Sequence, residues 1–561
     1  MTPRDEPTPP LDLSSVERDL ALDGVARAEA PAWLRESHRD PQSFWRSLVA
    51  WTDATSPVRT KLGARHFDPW HELVVRNLGL QTPVLQWVDG ARGLQSLGAS
   101  ELADRATRRA LAWERAGAAP GQVVCIVRPM GPELFVSLVA ALKAGLVLSV
   151  LPPLGARFVA TRLADPPDFI DTDAAHRALV GGATAPVLPD AVSGDVSLEL
   201  HRSVSYASGA TAALLFDPCL AATRRAVSVD ALLLCALRDG TVALSLRRGD
   251  VATAPGLPLL DTVPALPFAA LICGATLLHL TVDDVRREPA VLGRPLRAVG
   301  LGVAARELLL ELPIPTPQWH LWFRDPAESL DLERWEHLVG TGLHDSGAAN
   351  LRFSAALGGC LLFSHRRKGR PHMDVLPSAG VPHTVADFLG GAASPTGHGR
   401  LSVSLPGSPK PVVTSTVIVP HGRGWHYGGS VAEGSRGRRF LLEEALEVVA
   451  DLPGSIGASV CLTPTIGGAR LADLLLFTGA RPVDEAALIT EARRRLEAAL
   501  GAEHLPDRVL CLPVVPRRAK GGVDHGWCRD QYLSGGLARR ADDALHRALA
   551  RLVDRVTAPG A

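Results

Sequence analysis

Val123-Val124-Cys125-Ile126-Val127 is an uninterrupted apolar, largely β-branched run, the composition of a strand covered on both faces of a parallel sheet. Ala119-Pro120-Gly121 precedes it as a turn. Pro129-Met130-Gly131-Pro132-Glu133 follows and opens a helix that runs to Leu142-Lys143 and stops at Gly145. Leu146 to Leu151 is a second short apolar strand. Strand, helix and strand in this order predict a parallel sheet with right-handed crossovers.

Outward from this unit, Glu101 to Ala116 carries a helical pattern, and residues 1–40 read as a Pro-containing tail followed by a short helix. A second composition regime begins near Gly434. There Glu443 to Val449 is helical, Ser459 to Thr463 and Leu474 to Phe477 read as strands, and Asp484 to Leu500 is an amphipathic helix. The expected class is therefore α/β. A large N-terminal domain over residues 1–433 holds layered parallel and mixed sheets with helices, and a small α+β domain covers residues 434–561.

The 561 residues suit two or three domains. With 46% hydrophobic and 21% charged residues, a disordered chain is excluded. Lys+Arg 59 balances Asp+Glu 59, so charge gives no case for a nucleic-acid partner. Only five of the cations are lysines, at Lys61, Lys143, Lys368, Lys410 and Lys520, so a mechanism that needs a lysine has few candidates. The polar, Pro-rich start has no apolar core for a signal peptide. The run from Pro264 to Leu280 is broken by Pro and Gly and falls short of the roughly 20 residues of a membrane span, so it is read as buried core and no membrane partner is expected. Eight dispersed cysteines, with no C-x-x-C and no His cluster at zinc spacing, predict neither a disulfide framework nor a structural metal and fit a reducing cytoplasm.

Several stretches, in order, resemble the acyl-CoA and aryl-CoA synthetase branch of the adenylate-forming (AMP-binding) superfamily. They are Phe67-Asp68-Pro69-Trp70-His71, Ala119-Pro120-Gly121 with Pro129 to Glu133, Ala141-Leu142-Lys143-Ala144-Gly145, Gly249-Asp250-Val251 with Ala254-Pro255-Gly256, Gly274-Ala275-Thr276, and Pro516 to Tyr532. The resemblance implies a large N-terminal domain, a mobile C-terminal domain and an active site between them. It also implies activation of a carboxylate by ATP and magnesium, then transfer to the thiol of coenzyme A or a carrier protein.

The residues that touch ATP in that family are altered here. The phosphate loop, in the family Tyr-Thr-Ser-Gly-Thr-Thr-Gly-x-Pro-Lys-Gly, reads Tyr206-Ala207-Ser208-Gly209-Ala210-Thr211-Ala212-Ala213-Leu214-Leu215-Phe216. Ser208, Gly209 and Thr211 remain, but the lysine position is Leu215, and a loop without its cation is a poor phosphate cradle. In Arg352-Phe353-Ser354-Ala355-Ala356-Leu357-Gly358-Gly359, the glycines Gly358 and Gly359 remain while the Thr and the magnesium-holding Glu are Ala355 and Ala356. Methyl groups cannot coordinate a hard cation. The ribose-holding aspartate of Thr-Gly-Asp is Ser430, in Gly428-Gly429-Ser430. The C-terminal catalytic lysine falls on Gly522 in Pro516-Arg517-Arg518-Ala519-Lys520-Gly521-Gly522, with Lys520 two residues away and able to replace it only through a slip in register. Drift of lysine to arginine would have kept the charge; these changes discard it.

The expectation is a retained fold that no longer makes adenylates and uses neither ATP nor magnesium. It looks like the ligase-like starter-unit transferases of polyketide pathways. An acyl or aryl group, such as an aromatic starter unit, would pass from an acyl-CoA to the phosphopantetheine thiol of an acyl carrier protein. The alternatives are an ATP-dependent acyl-CoA or aryl-CoA ligase using Lys520, and an inactive ligase-like scaffold that binds a carrier protein. A covalent route needs a nucleophile and a base. Cys360, directly after Gly358-Gly359, is the candidate nucleophile or else a small core residue leading into Leu361-Leu362-Phe363. His344, followed by Asp345, is the candidate base or part of a surface loop. Cys125, Cys235 and Cys273 lie in apolar surroundings and read as core, and the basic stretch Arg366 to Arg370 is a candidate contact for coenzyme A phosphates or an acidic carrier. Ser208, Gly209, Thr211, Gly358, Gly359 and Lys520 are the candidate binding residues, and no metal ligands are expected.

Overall fold

A computed structural model describes residues 32–542 apart from 91, 191–201, 217–223, 313–316, 329, 331, 341, 367–373, 388–392, 409, 422–423, 431–441, 465–469, 480–482 and 520–521. The chain divides into two compact units, residues 1–153 with 162–431, and residues 154–161 with 432–561.

The apolar pattern around Val123 becomes the centre of a five-stranded sheet. Val123–Val127 lies between Phe169–Thr172 and Val147–Val150, and Thr211–Phe216 follows, all parallel; Arg224–Ser228 closes the sheet as an antiparallel edge. The crossover helix Pro132–Lys143 is buried along its length from Leu134 onward. Its last residue, Lys143, is 4% exposed and sits over the Trp70 ring at 4.2 Å, with burial holding its ammonium pKa below the ordinary value. One of the five lysines is therefore a packing residue.

The second sheet of this unit has thirteen strands. Its centre, Leu85–Asp89, Thr276–His279, Val251–Thr253, Pro295–Gly300, Gln318–Arg324 and Gly347–Ser354, is parallel throughout. From Gly347–Ser354 outward the order is antiparallel, through Gly359–Arg366, Asp374–Pro377 and Gly424–Ser430. The run from Pro264 to Leu280 is core, as its Pro and Gly punctuation predicts. It is a helix over Ala265–Cys273, stopped by Gly274 in the left-handed region at φ 67°, and then the strand Thr276–His279. Among the described residues no helix is long and apolar enough to cross a membrane.

The second unit carries a three-stranded sheet of Gly457–Pro464, Arg470–Phe477 and Arg508–Leu512, the first pair antiparallel and the second parallel. Helix Glu485–Leu500 begins where Asp484 accepts the Ala487 N–H at 3.0 Å. Residues 154–161 join this unit out of sequence order. The Phe158 ring stacks on His504 with centroids 5.2 Å apart, and Gly155 lies so close to helix Glu485–Leu500 that a Cβ there would come within 2.6 Å of the Ala499 carbonyl carbon. Asp473, fully buried, accepts from Arg508 Nε and Nη2 at 2.6 Å each and from Tyr532 Oη at 3.0 Å.

Candidate active site

The loop that begins at Tyr206 is fixed from below. Tyr206 donates its hydroxyl to the Leu146 carbonyl at 2.9 Å, and Tyr206 and Ala207 pair with Phe67 and His66. Ser208 and Gly209 then turn, with Gly209 at φ 79°, and both are exposed. Gly209 donates its N–H to Asp230 Oδ2 at 2.5 Å, and Ser208 Oγ lies 3.2 Å from each Asp230 oxygen. Thr211 is exposed at the start of the following strand, opposite Ser228. Farther along that strand, Leu215 is 2% exposed and packs in the main core.

Helix Val229–Arg238 connects this loop to the Gly358-Gly359 turn. Ser228 caps it, accepting the Ala231 N–H at 3.1 Å and donating to the Pro406 carbonyl at 2.8 Å. Along its length the helix meets the turn closely, since a Cβ on Gly358 would stand 3.3 Å from the Ala231 carbonyl oxygen and 3.5 Å from Cys235 Sγ. At its far end the adjacent residues Arg238 and Asp239, 3% and 0% exposed, form an ion pair. Asp239 Oδ2 accepts the Cys360 N–H at 2.7 Å, and Arg238 Nη2 donates to the Cys360 carbonyl at 2.8 Å. Gly359 has φ 132°, and a Cβ there would fall 2.0 Å from Asp239 Oδ2, so only glycine admits the carboxylate. Burial pushes the Asp239 carboxyl up to about 6, against the opposing pull of Arg238 and the Cys360 N–H.

The predicted nucleophile and base do not meet. Cys360 is 1% exposed, its Sγ donates to the Leu362 carbonyl at 3.1 Å, and burial pushes its thiol pKa well up. A buried thiol of raised pKa is a poor nucleophile. His344 is exposed in the short turn Leu343–Asp345, three residues before Gly347, with Asp345 3.5 Å away. Cys360 pairs with Phe353 at the other end of the Gly347–Ser354 strand, which separates the two by about 20 Å at the usual rise per strand residue. Adjacency to the glycine turn, the signal that picked out Cys360, marks a packing position. Asp230, Arg238 and Asp239 were missed by the sequence reading. Arg238-Asp239, an abrupt charged pair ending the apolar run Ala231 to Leu237, was the available signal for two of them.

At the positions that the resemblance assigns to the magnesium ligand and the phosphate-loop lysine, the described residues offer neither a metal ligand nor a cation. Ala355 and Ala356 are 2% and 1% exposed in the short turn Ala355–Leu357, offering methyl groups where a metal ligand is needed. Leu215, which the resemblance aligns with the family's lysine, points into the core. Among the described residues no group of three or more His, Cys, Asp or Glu gathers to hold a metal ion. Lys520 and the stretch 367–373 lie outside the described residues, as does the side chain of Ser430. At the start of helix Val229–Arg238 lies a half-open pocket of about 250 Å³, walled by Val227, Ala231, Ala356, Leu357, Leu405 and Val412, with Ser228, Ser408 and Arg225 supplying polar groups.

The sheets, their order and the appended α+β unit give the chain the adenylate-forming enzyme fold. It superimposes on the amide bond synthetase McbA from Marinactinospora thermotolerans with a TM-score of 0.64 at 16% identity, over 83% of this chain and 100% of that one. For a double mutant of o-succinylbenzoate CoA synthetase from Bacillus subtilis, bound to a product analogue, the TM-score is 0.63 at 15% identity over 83% and 99% of the two chains. An artificially fused adenylation–PCP di-domain from Klebsiella oxytoca gives 0.61 at 13% identity over 79% and 92%. At these identities the likeness is one of fold. No protein-family model and no curated protein matches the sequence.

Proposed function

We propose that this chain moves an acyl or aryl group from coenzyme A to the phosphopantetheine thiol of an acyl carrier protein without using ATP. The observation that carries the reading is Ala356. At the position where the resemblance calls for a magnesium-holding glutamate, a buried methyl group forms part of the wall of a cavity. The same wall suits an acyl group. At about 250 Å³, this half-open pocket of mixed polar and apolar lining has room for one aryl ring or a short branched chain. The likeness to an adenylation–PCP di-domain supports a carrier-protein partner.

Thioester exchange needs little beyond positioning. The carrier thiol loses its proton and attacks the thioester carbonyl. A new C–S bond forms, the bond to coenzyme A breaks, and the proton ends on the released coenzyme A thiol. Cys360, buried and with its thiol pKa raised, does not suit a covalent stage, so transfer is direct between the two thiols.

The test is the mass of a holo carrier protein incubated with this protein and a panel of acyl-CoA and aryl-CoA thioesters, without ATP. The expected result is a shift equal to the acyl group. No shift with any thioester would overturn transfer and favour the scaffold reading, which the separation of Cys360 from His344 also supports. Pyrophosphate release from ATP, magnesium and a carboxylate would instead establish a ligase.

A further inference from the structure

A loop built to hold phosphate presents backbone N–H groups and a hydroxyl to an anion. In this chain those donors already face an anion of its own. The Gly209 N–H is spent on Asp230 Oδ2 at 2.5 Å, and Ser208 Oγ lies within 3.2 Å of both Asp230 oxygens. Asp230 is only 5% exposed although Ser208 and Gly209 are exposed, so the carboxylate lies beneath the turn. It stands in the first turn of helix Val229–Arg238, where a negative charge is favoured. A third segment closes over it: a Cβ on Gly407 would come 3.2 Å from Asp230 Oδ2, and one on Gly209 would come 3.7 Å from the Gly407 carbonyl. Residues 208–209, 230 and 407 thus converge on one carboxylate.

We propose that Asp230 is the resident anion of this loop, and that its carboxylate excludes polyphosphate in addition to the missing lysine. An N–H engaged at 2.5 Å has no second bond to offer. A phosphate oxygen brought to the same place would meet a like charge at a few ångströms in partly desolvated surroundings. The proposal shares its site with the ATP-independent reading and extends it from absent groups to a group that is present and acts.

The experiment is calorimetric titration of the full chain with sodium tripolyphosphate, without metal. Wild type is expected to show no saturable binding. Asp230→Ser vacates the cradle and Asp230→Asn keeps the shape while removing the charge; each is expected to bind tripolyphosphate at least tenfold more tightly than wild type, with unchanged far-ultraviolet circular dichroism. If the Ser variant fails to fold, the Asn variant decides. Asp283→Ser removes the same charge from a side chain 73% exposed and is expected to gain nothing. An equal gain in Asp283→Ser, or no gain in a folded Asp230 variant, overturns the proposal and leaves the ATP-independent reading standing. Pyrophosphate release by wild type overturns that reading by a separate measurement.

Discussion

Asp239 accepts the backbone N–H of Cys360 at 2.7 Å, joining the end of helix Val229–Arg238 to a turn 121 residues later in the chain. Arg238 completes the clasp through the Cys360 carbonyl at 2.8 Å. Because both ions are buried, removing one leaves the other without compensation, at a cost of roughly 3–5 kcal/mol. Asp239→Ala is expected to lower stability by about that amount, and Gly359→Ala by a comparable amount through the clash with the carboxylate. Urea unfolding followed by tryptophan fluorescence measures both; a loss under about 1 kcal/mol in each would show that the clasp is not needed.

Cys360 is expected to be chemically silent. With its thiol buried and its pKa raised, native protein should leave it unlabelled by iodoacetamide while urea-unfolded protein labels fully, as read by peptide mass. Cys360→Ala is expected to retain acyl transfer within about threefold of wild type, a change under 1 kcal/mol in barrier. A hundredfold loss in a folded variant would return Cys360 to the role of nucleophile.

Restoring the family lysine at its aligned position should fail. Leu215 is 2% exposed in the core, so Leu215→Lys places an ammonium among aliphatic neighbours and is expected to cost about 3 kcal/mol or more. A folded Leu215→Lys protein with unchanged melting temperature and new ATP binding would show that the strand carries the side chain outward.

Acid should weaken the large unit through two partly buried histidines. Burial lowers both His279 and His383 to about 4 from an ordinary value of 6.5, with His38 adding to the effect at His383. A depressed histidine pKa favours the neutral folded form, so this stability is complete above about pH 6.5 and is lost as pH falls toward 4. The loss is about 1–3 kcal/mol per residue. Melting temperatures from pH 7 to pH 4 should fall less steeply in a His279→Phe, His383→Phe double variant. Asp239, raised to about 6, works in the opposite sense over part of this range, so the variant must be compared with wild type at each pH.

The fold was legible because it rests on local patterns. A β-branched run such as Val123 to Val127, a Pro-started helix and a Gly stop each act on neighbouring residues, and the chain kept all three. The amphipathic helix expected over Asp484 to Leu500 was readable for the same reason, and the structure starts it one residue later, with Asp484 as its cap. The losses at Leu215, Ala355 and Ala356 were equally plain, because a missing charge is visible in a residue's identity.

Contacts across long stretches of chain were not legible. Residue type and position in sequence named His344 as base and Cys360 as nucleophile, but an extended strand carries the two to opposite ends. Residue identity likewise gave no hint that Asp230 would lie under Gly209, since nothing local distinguishes a capping-turn carboxylate from one that fills a loop. The sequence by itself determined the architecture and the loss of cation and metal ligand, because periodicity and side-chain chemistry are properties of short segments. Only the tertiary structure decided which anion occupies the loop and which residues clasp the glycine turn. Those are long-range encounters, set by how helix Val229–Arg238 packs between segments that local pattern leaves independent.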